Sequence, residues 1–202
     1  MIQYLFSDPL VFILVVVSLL IAVTVHEFAH AYIADRLGDP TPRLMGRVTL
    51  NPLAHLDPVG TIFILLVGFG WGKPVMFDPF NLEHPRRDAA IISFAGPATN
   101  LTLALFVALA VRIAPVPVFI ALPIIQLNLI LALFNLIPVH PLDGFKIVGG
   151  LLSEEQAEDW YGLSRYGMII LLALLLPLTP AGSIVSLILQ PPLAFLLQLL
   201  LG

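Results

Sequence analysis

Apolar residues run almost without interruption from Pro9 to about Ala34, and further runs of this kind alternate with short polar stretches along the chain. Ser7-Asp8-Pro9 supplies a cap and a proline at the first helical position. Gly38-Asp39-Pro40 supplies a stop, so one helix is predicted from Pro9 to Leu37. At about 1.5 Å per residue such a helix exceeds the roughly 30 Å apolar core of a bilayer. Residues 41–57 are mixed, with strand-forming character over Leu44–Leu50. The next apolar run, Val59 to Phe69, follows Asp57-Pro58 and is broken by Gly68, Gly70 and Gly72. It is too short to span and reads as a re-entrant or interfacial segment. Residues 71–88 are polar and contain proline, which predicts a loop.

Ala89–Val111 is a predicted span, and so is Val118–Ile137 after a Pro115/Pro117 hinge. Ser153-Glu154-Glu155-Gln156 matches a capping box and opens a polar helix that Tyr166–Leu178 continues as a span. The last run, Ser183–Leu200, is interrupted by Pro191-Pro192, which predicts a kink or partial insertion. The pattern therefore predicts an all-α polytopic membrane protein of about five to six hydrophobic helices. A membrane re-entrant segment, with some capacity for β structure, lies between the first two full spans. No repeat and no low-complexity segment is visible.

Composition agrees with this reading. The 202 residues are 59% hydrophobic and 11% charged, against about 25% charged in a soluble domain. That length suits a single domain, with a core over 9–150 and accessory C-terminal helices over 153–202. No cysteine is present, so disulfides and thiolate ligands are excluded and any metal must be held by His and carboxylates. A net charge of −4 with no basic cluster argues against nucleic acid. No Lys or Arg precedes Arg36, so the first run is not a secretory signal. With the Arg36 end in the cytoplasm and 58–70 re-entrant, eight of the nine basic residues are cytoplasmic and only Arg112 lies outside. This puts the N-terminus outside the cell membrane.

His26-Glu27-Phe28-Ala29-His30 lies inside the first span. Histidines four apart on a helix share nearly one face, so both imidazoles can reach one metal, with Glu27 beside the first. Ionisable residues at such depth are costly, which favours a function for them. A catalytic zinc takes three protein ligands and keeps an open position. Candidates for the third are Asp143, His140, His55 and Asp57. Asp143 is favoured: it ends a span in a Pro-rich turn before Gly144, and zinc with Asp143 and an ionised Glu27 sums to no net charge. Asp143 as a simple helix cap is the competing reading. Asn100 and Gly96 read as an interhelical hydrogen bond and a close helix contact. Trp71 and Trp160 read as interface anchors, and His84 as a surface loop residue. His55 reads equally as a contact of the active site or a loop cap.

His26-Glu27-Phe28-Ala29-His30, Gly96-Pro97-Ala98-Thr99-Asn100 and the run from Asn135 through Pro138, Pro141 and Leu142 to Asp143-Gly144 together resemble the site-2 protease family of intramembrane zinc metalloproteases. The Asn51–Pro58 stretch and Gly72-Lys73-Pro74-Val75 are similar to its compact prokaryotic branch without a PDZ domain. The resemblance implies one catalytic Zn²⁺ on His26, His30 and Asp143, Glu27 as general base, and Asn135 as a substrate-binding residue near the metal. It implies an endopeptidase acting on transmembrane segments of other proteins, with its active site towards the cytoplasm. A proteolytically inactive metal-binding or chaperone-like relative is the alternative. His140 departs from the small residue or proline usual at its position and is expected to face the cytoplasm.

Overall fold

The computed structural model describes residues 2–67, 70–114, 116–177 and 182–202. Gly68 and Phe69, Pro115 of the hinge and Leu178 of the fifth apolar run lie outside the described residues. The fold is helical throughout. A short α1 (Ile2–Ser7) leads into α2 (Pro9–Arg36), where the Asp8 carboxylate accepts from the Val11 N–H at 3.1 Å and caps the first turn. The helix stops as read from the sequence: Gly38 adopts φ +109°, a conformation open to glycine. Asp39, fully buried, then accepts from the Thr41 N–H and hydroxyl, the Asn81 amide and the Asp78 N–H. Burial opposes ionisation of Asp39, but those donors outweigh it and hold the carboxyl below its usual range.

Among the described residues, four helices are long and apolar enough to cross a membrane: α2, α5 (Pro85–Ile113), α6 (Val118–Asn135) and α10 (Ile184–Leu201). With the shorter α4 (Pro58–Val67) and α9 (Ser164–Leu175), six hydrophobic helices are present among the described residues. α5 is central and packs on α2, α6 and α7 (Asp143–Leu151). Its contact with α6 is built on Ala104, Ala108 and Ala121 around Ile125 and Leu129. Small residues let helix backbones approach closely where lipid removes any hydrophobic gain from association.

The 41–77 region differs from its sequence reading in detail. The strand-forming stretch Leu44–Leu50 forms no strand: α3 (Thr41–Leu44) ends there, Gly46 turns the chain at φ +68°, and bends follow. One isolated antiparallel bridge, Leu56 to Gly72, is present among the described residues. That bridge, with the Lys73 N–H donating to the His55 carbonyl at 2.8 Å, brings the two ends of the 57–71 excursion together. α4 has ten residues, about 15 Å, half the apolar thickness. A short helix whose entry and exit are bonded to each other has the geometry of a re-entrant segment.

Two further differences lie near the C-terminus. The helix predicted to continue from the capping box through 166–178 is instead two, α8 (Glu154–Gly162) and α9, which break at Gly162-Leu163. At twelve residues, about 18 Å, α9 is too short to span. α10 runs as one helix through Pro191 and Pro192 rather than being interrupted, as helices in a membrane setting tolerate.

Candidate metal centre

α2 carries His26 and His30 on one face, both almost fully buried, and their rings meet edge to face with centroids 4.6 Å apart. Each ring is fixed from behind. The His30 Nδ1–H donates to the Ile92 carbonyl on α5 at 2.7 Å. The His26 Nδ1 lies 2.6 Å from Asn100 Oδ1, also on α5. Asn100 spends its own amide protons on the Ala22 carbonyl and Asn128 Oδ1, so its oxygen must accept and His26 must donate. Both imidazoles thus carry a proton on Nδ1 and turn Nε2 forward, the arrangement a metal-bound histidine uses.

Forward is Asp143. Its Oδ2 lies 3.1 Å from His26 Nε2 and 3.3 Å from His30 Nε2. The turn after α6 delivers it: Leu142 is extended, Asp143 is the first residue of α7, and a β-carbon on Gly144 would fall 2.3 Å from the Leu136 carbonyl oxygen. The two Nε2 atoms and Oδ2 at this range need positive charge among them, which imidazolium protons or one metal ion can supply. Two ligands of a tetrahedral zinc, each about 2.0–2.1 Å from the ion, stand about 3.3 Å apart. The two distances to Asp143 match that value, all three atoms lie within 4.8 Å of one another, and the nitrogen-nitrogen-oxygen set is one zinc accepts.

Two neighbours shape the rest of the site. Gly96 on α5 lies against the imidazoles: a β-carbon there would be 2.5 Å from His30 Nε2 and 2.7 Å from His26 Cε1. Beyond the close helix contact that the sequence suggests, this glycine leaves room for both imidazoles. Glu27, half-buried and next to His26 in sequence, accepts from the Val75 N–H at 3.1 Å through Oε2. The strip carrying Val75 is held by the buried Arg47, whose guanidinium donates to the Ala54 and Lys73 carbonyls. Arg47 also places its positive charge within electrostatic reach of Glu27.

The other candidates fall elsewhere. Asn135 donates its amide to the Leu131 carbonyl of its own helix at 3.0 Å and makes no bond to the cluster. His55 is a structural residue of the loop, fully buried, with Nε2 on the Thr49 carbonyl at 2.8 Å. Asp57 caps α4 by accepting from the Gly60 N–H. His140 does not face the cytoplasm freely. It packs edge-on against Phe145, and burial together with the nearby Lys146 charge lowers its basicity. Trp160 stacks on Phe145 and donates to its carbonyl at 2.8 Å, so it secures α7 against α8. Trp71 is half-exposed beside Phe63, and His84 is an exposed residue at the start of α5. Asn100 was read only as an interhelical bond. The signal that identifies its partner is spatial, because 74 positions separate it from His26.

A model described as peptidase family M50 matches residues 14–122. The chain is 40% identical over 182 residues to a Bacillus subtilis protein named "Putative zinc metalloprotease YwhC", a match covering 84% of this chain and 82% of that one. It is 30% identical over 183 residues to the Mycobacterium tuberculosis "Putative zinc metalloprotease Rip2", covering 85% of this chain and 70% of that one. Over 144 residues it is 26% identical to the Methanocaldococcus jannaschii "Zinc metalloprotease MJ0392", covering 69% of this chain and 34% of that one. No solved structure matches.

Proposed function

This chain belongs to peptidase family M50, the site-2 protease family, and is a membrane zinc metalloprotease; from that premise we propose that it cleaves peptide bonds in or near transmembrane segments of other proteins. The observation that carries the reading is the convergence of His26 Nε2, His30 Nε2 and Asp143 Oδ2 from two separate helices. His26 and His30 lie ten and six residues before the end of α2, about 15 and 9 Å along its axis, which supports a site set below the membrane surface. In this reading 1–202 is one protease domain, its active site facing the cytoplasmic side and its N-terminus outside.

His26, His30 and Asp143 hold the zinc, which when bound supplies the Lewis acidity that activates water and polarises the scissile carbonyl. Glu27 acts as general base: its carboxylate takes the proton of the attacking water and returns it to the leaving amine. The Val75 N–H keeps that carboxylate oriented. A substrate helix has its carbonyls already bonded, so a few residues must unwind before attack. Asn135 would exchange its bond to Leu131 for one to this exposed backbone.

Glu27→Gln is expected to retain zinc at the parental ratio by elemental analysis and to lose cleavage of a detergent-solubilised substrate helix by about 10²- to 10⁴-fold. Cleavage at the parental rate would remove Glu27 from the mechanism. Asp143→Ala is expected to lose most of the bound zinc, and unchanged zinc would break the ligand set.

A further inference from the structure

Lys146 stands one turn after Asp143 on α7, a spacing that puts the two side chains on nearly the same face of the helix. Its ammonium lies 4.8 Å from the centre of the Phe77 ring, on the strip that also carries Val75. It is within electrostatic reach of two carboxylates, Asp143 and Glu27. Lys146, Phe77, Glu27 and the zinc ligand Asp143 therefore form one neighbourhood where α7 meets the 72–77 strip. Burial pushes the amine below the usual lysine range, while the two carboxylates pull it back. Yet the ammonium makes no hydrogen bond and no ion pair with any described residue. Three donors half-buried against an aromatic face are free to meet an acceptor that arrives.

We propose that Lys146 is a substrate-binding residue whose ammonium donates to backbone carbonyl oxygens of the peptide unwound across the metal. Those carbonyls are the acceptors an unwound transmembrane segment must find partners for, whatever its sequence. A lysine suits the task because its compact charge and three rotatable donors accommodate acceptors in several directions. With zinc, Asp143 and an ionised Glu27 in place, Lys146 leaves this group with one net positive charge, matched to carbonyl dipoles. The inference rests on the protease reading, and it adds a contact to the substrate beyond the metal and the base.

The test uses the full chain in detergent. Lys146→Met keeps the length and the contact with Phe77 but removes the donors, and Lys146→Arg restores them. With a substrate helix, Lys146→Met is expected to raise KM about tenfold, change kcat less and leave bound zinc at the parental ratio. Lys146→Arg is expected to recover most of the loss. Binding of the same helix to the Glu27→Gln form reads the contact without cleavage, and adding Lys146→Met is expected to weaken it about tenfold. Unchanged KM and Kd would overturn the proposal and make Lys146 a side chain reaching for the headgroups. A fall in bound zinc alongside activity would also overturn it, by making Lys146 a structural support of Asp143. If the parent bound the helix in a Lys146-dependent way and did not cleave it, the protease reading alone would fail.

Discussion

His26 and His30 are oriented by different means. His30 is fixed by a backbone carbonyl, whereas His26 is fixed by the side chain of Asn100, which leans on Asn128. Only the second support can be removed by substitution. Asn100→Leu is expected to free the His26 ring and weaken zinc binding about 10- to 100-fold, read by chelator competition. Unaltered affinity would show that α2 alone sets the ring. Gly96→Ala is expected to lower zinc occupancy more sharply, because its methyl would enter the space of both imidazoles; full occupancy would mean that α5 can retreat. At this scale the sequence was half legible. Two histidines four apart on a helix announce a shared face through local geometry alone. Asn100 and Gly96 act on those histidines from another helix, a relation that no local spacing encodes.

Elements whose ends carry their own chemistry were read to within a residue or two. Asp8-Pro9 and Gly38 set the limits of α2, and the Ser153–Gln156 box opens α8 with both of its reciprocal bonds. The 41–77 region was harder, because it is ordered by long-range polar contacts rather than by periodicity. Arg47 counted in the sequence only as one more cytoplasmic charge, yet it is buried and joins the Ala54 and Lys73 carbonyls. A planar guanidinium can hold two acceptors in a fixed fork, and an ammonium holds that geometry poorly. Arg47→Lys is therefore expected to loosen the strip that positions Glu27. Activity should fall about tenfold with zinc unchanged, and the detergent melting temperature should drop by several degrees. Parental activity with a lowered melting point would confine Arg47 to stability.

For the whole molecule, the site assembles only if successive spans run in opposite directions, so that polar residues from α2, α5 and α6 meet at one level. His26, Asn100 and Asn128 do meet, in an unbroken chain of hydrogen bonds across the three helices. That fixes the spans relative to one another but is silent about which end faces the cell interior. The proposed orientation takes its sign from the distribution of Lys and Arg, with the loop before α5 in the cytoplasm and the end of α5 outside. With no native cysteine, single substitutions report position cleanly. Phe80, in the loop before α5, and Ile113, at the far end of α5, are the natural choices, being 96% and 86% exposed. Ile113→Cys is expected to react with an impermeant maleimide on intact cells, and Phe80→Cys only after the membrane is opened. The reverse pattern would invert the protein, carrying the zinc ligands, Glu27 and Lys146 to the outer side of the bilayer. Substrates would then have to present their unwound segment from outside, so this labelling decides which end of a transmembrane helix the protease can reach.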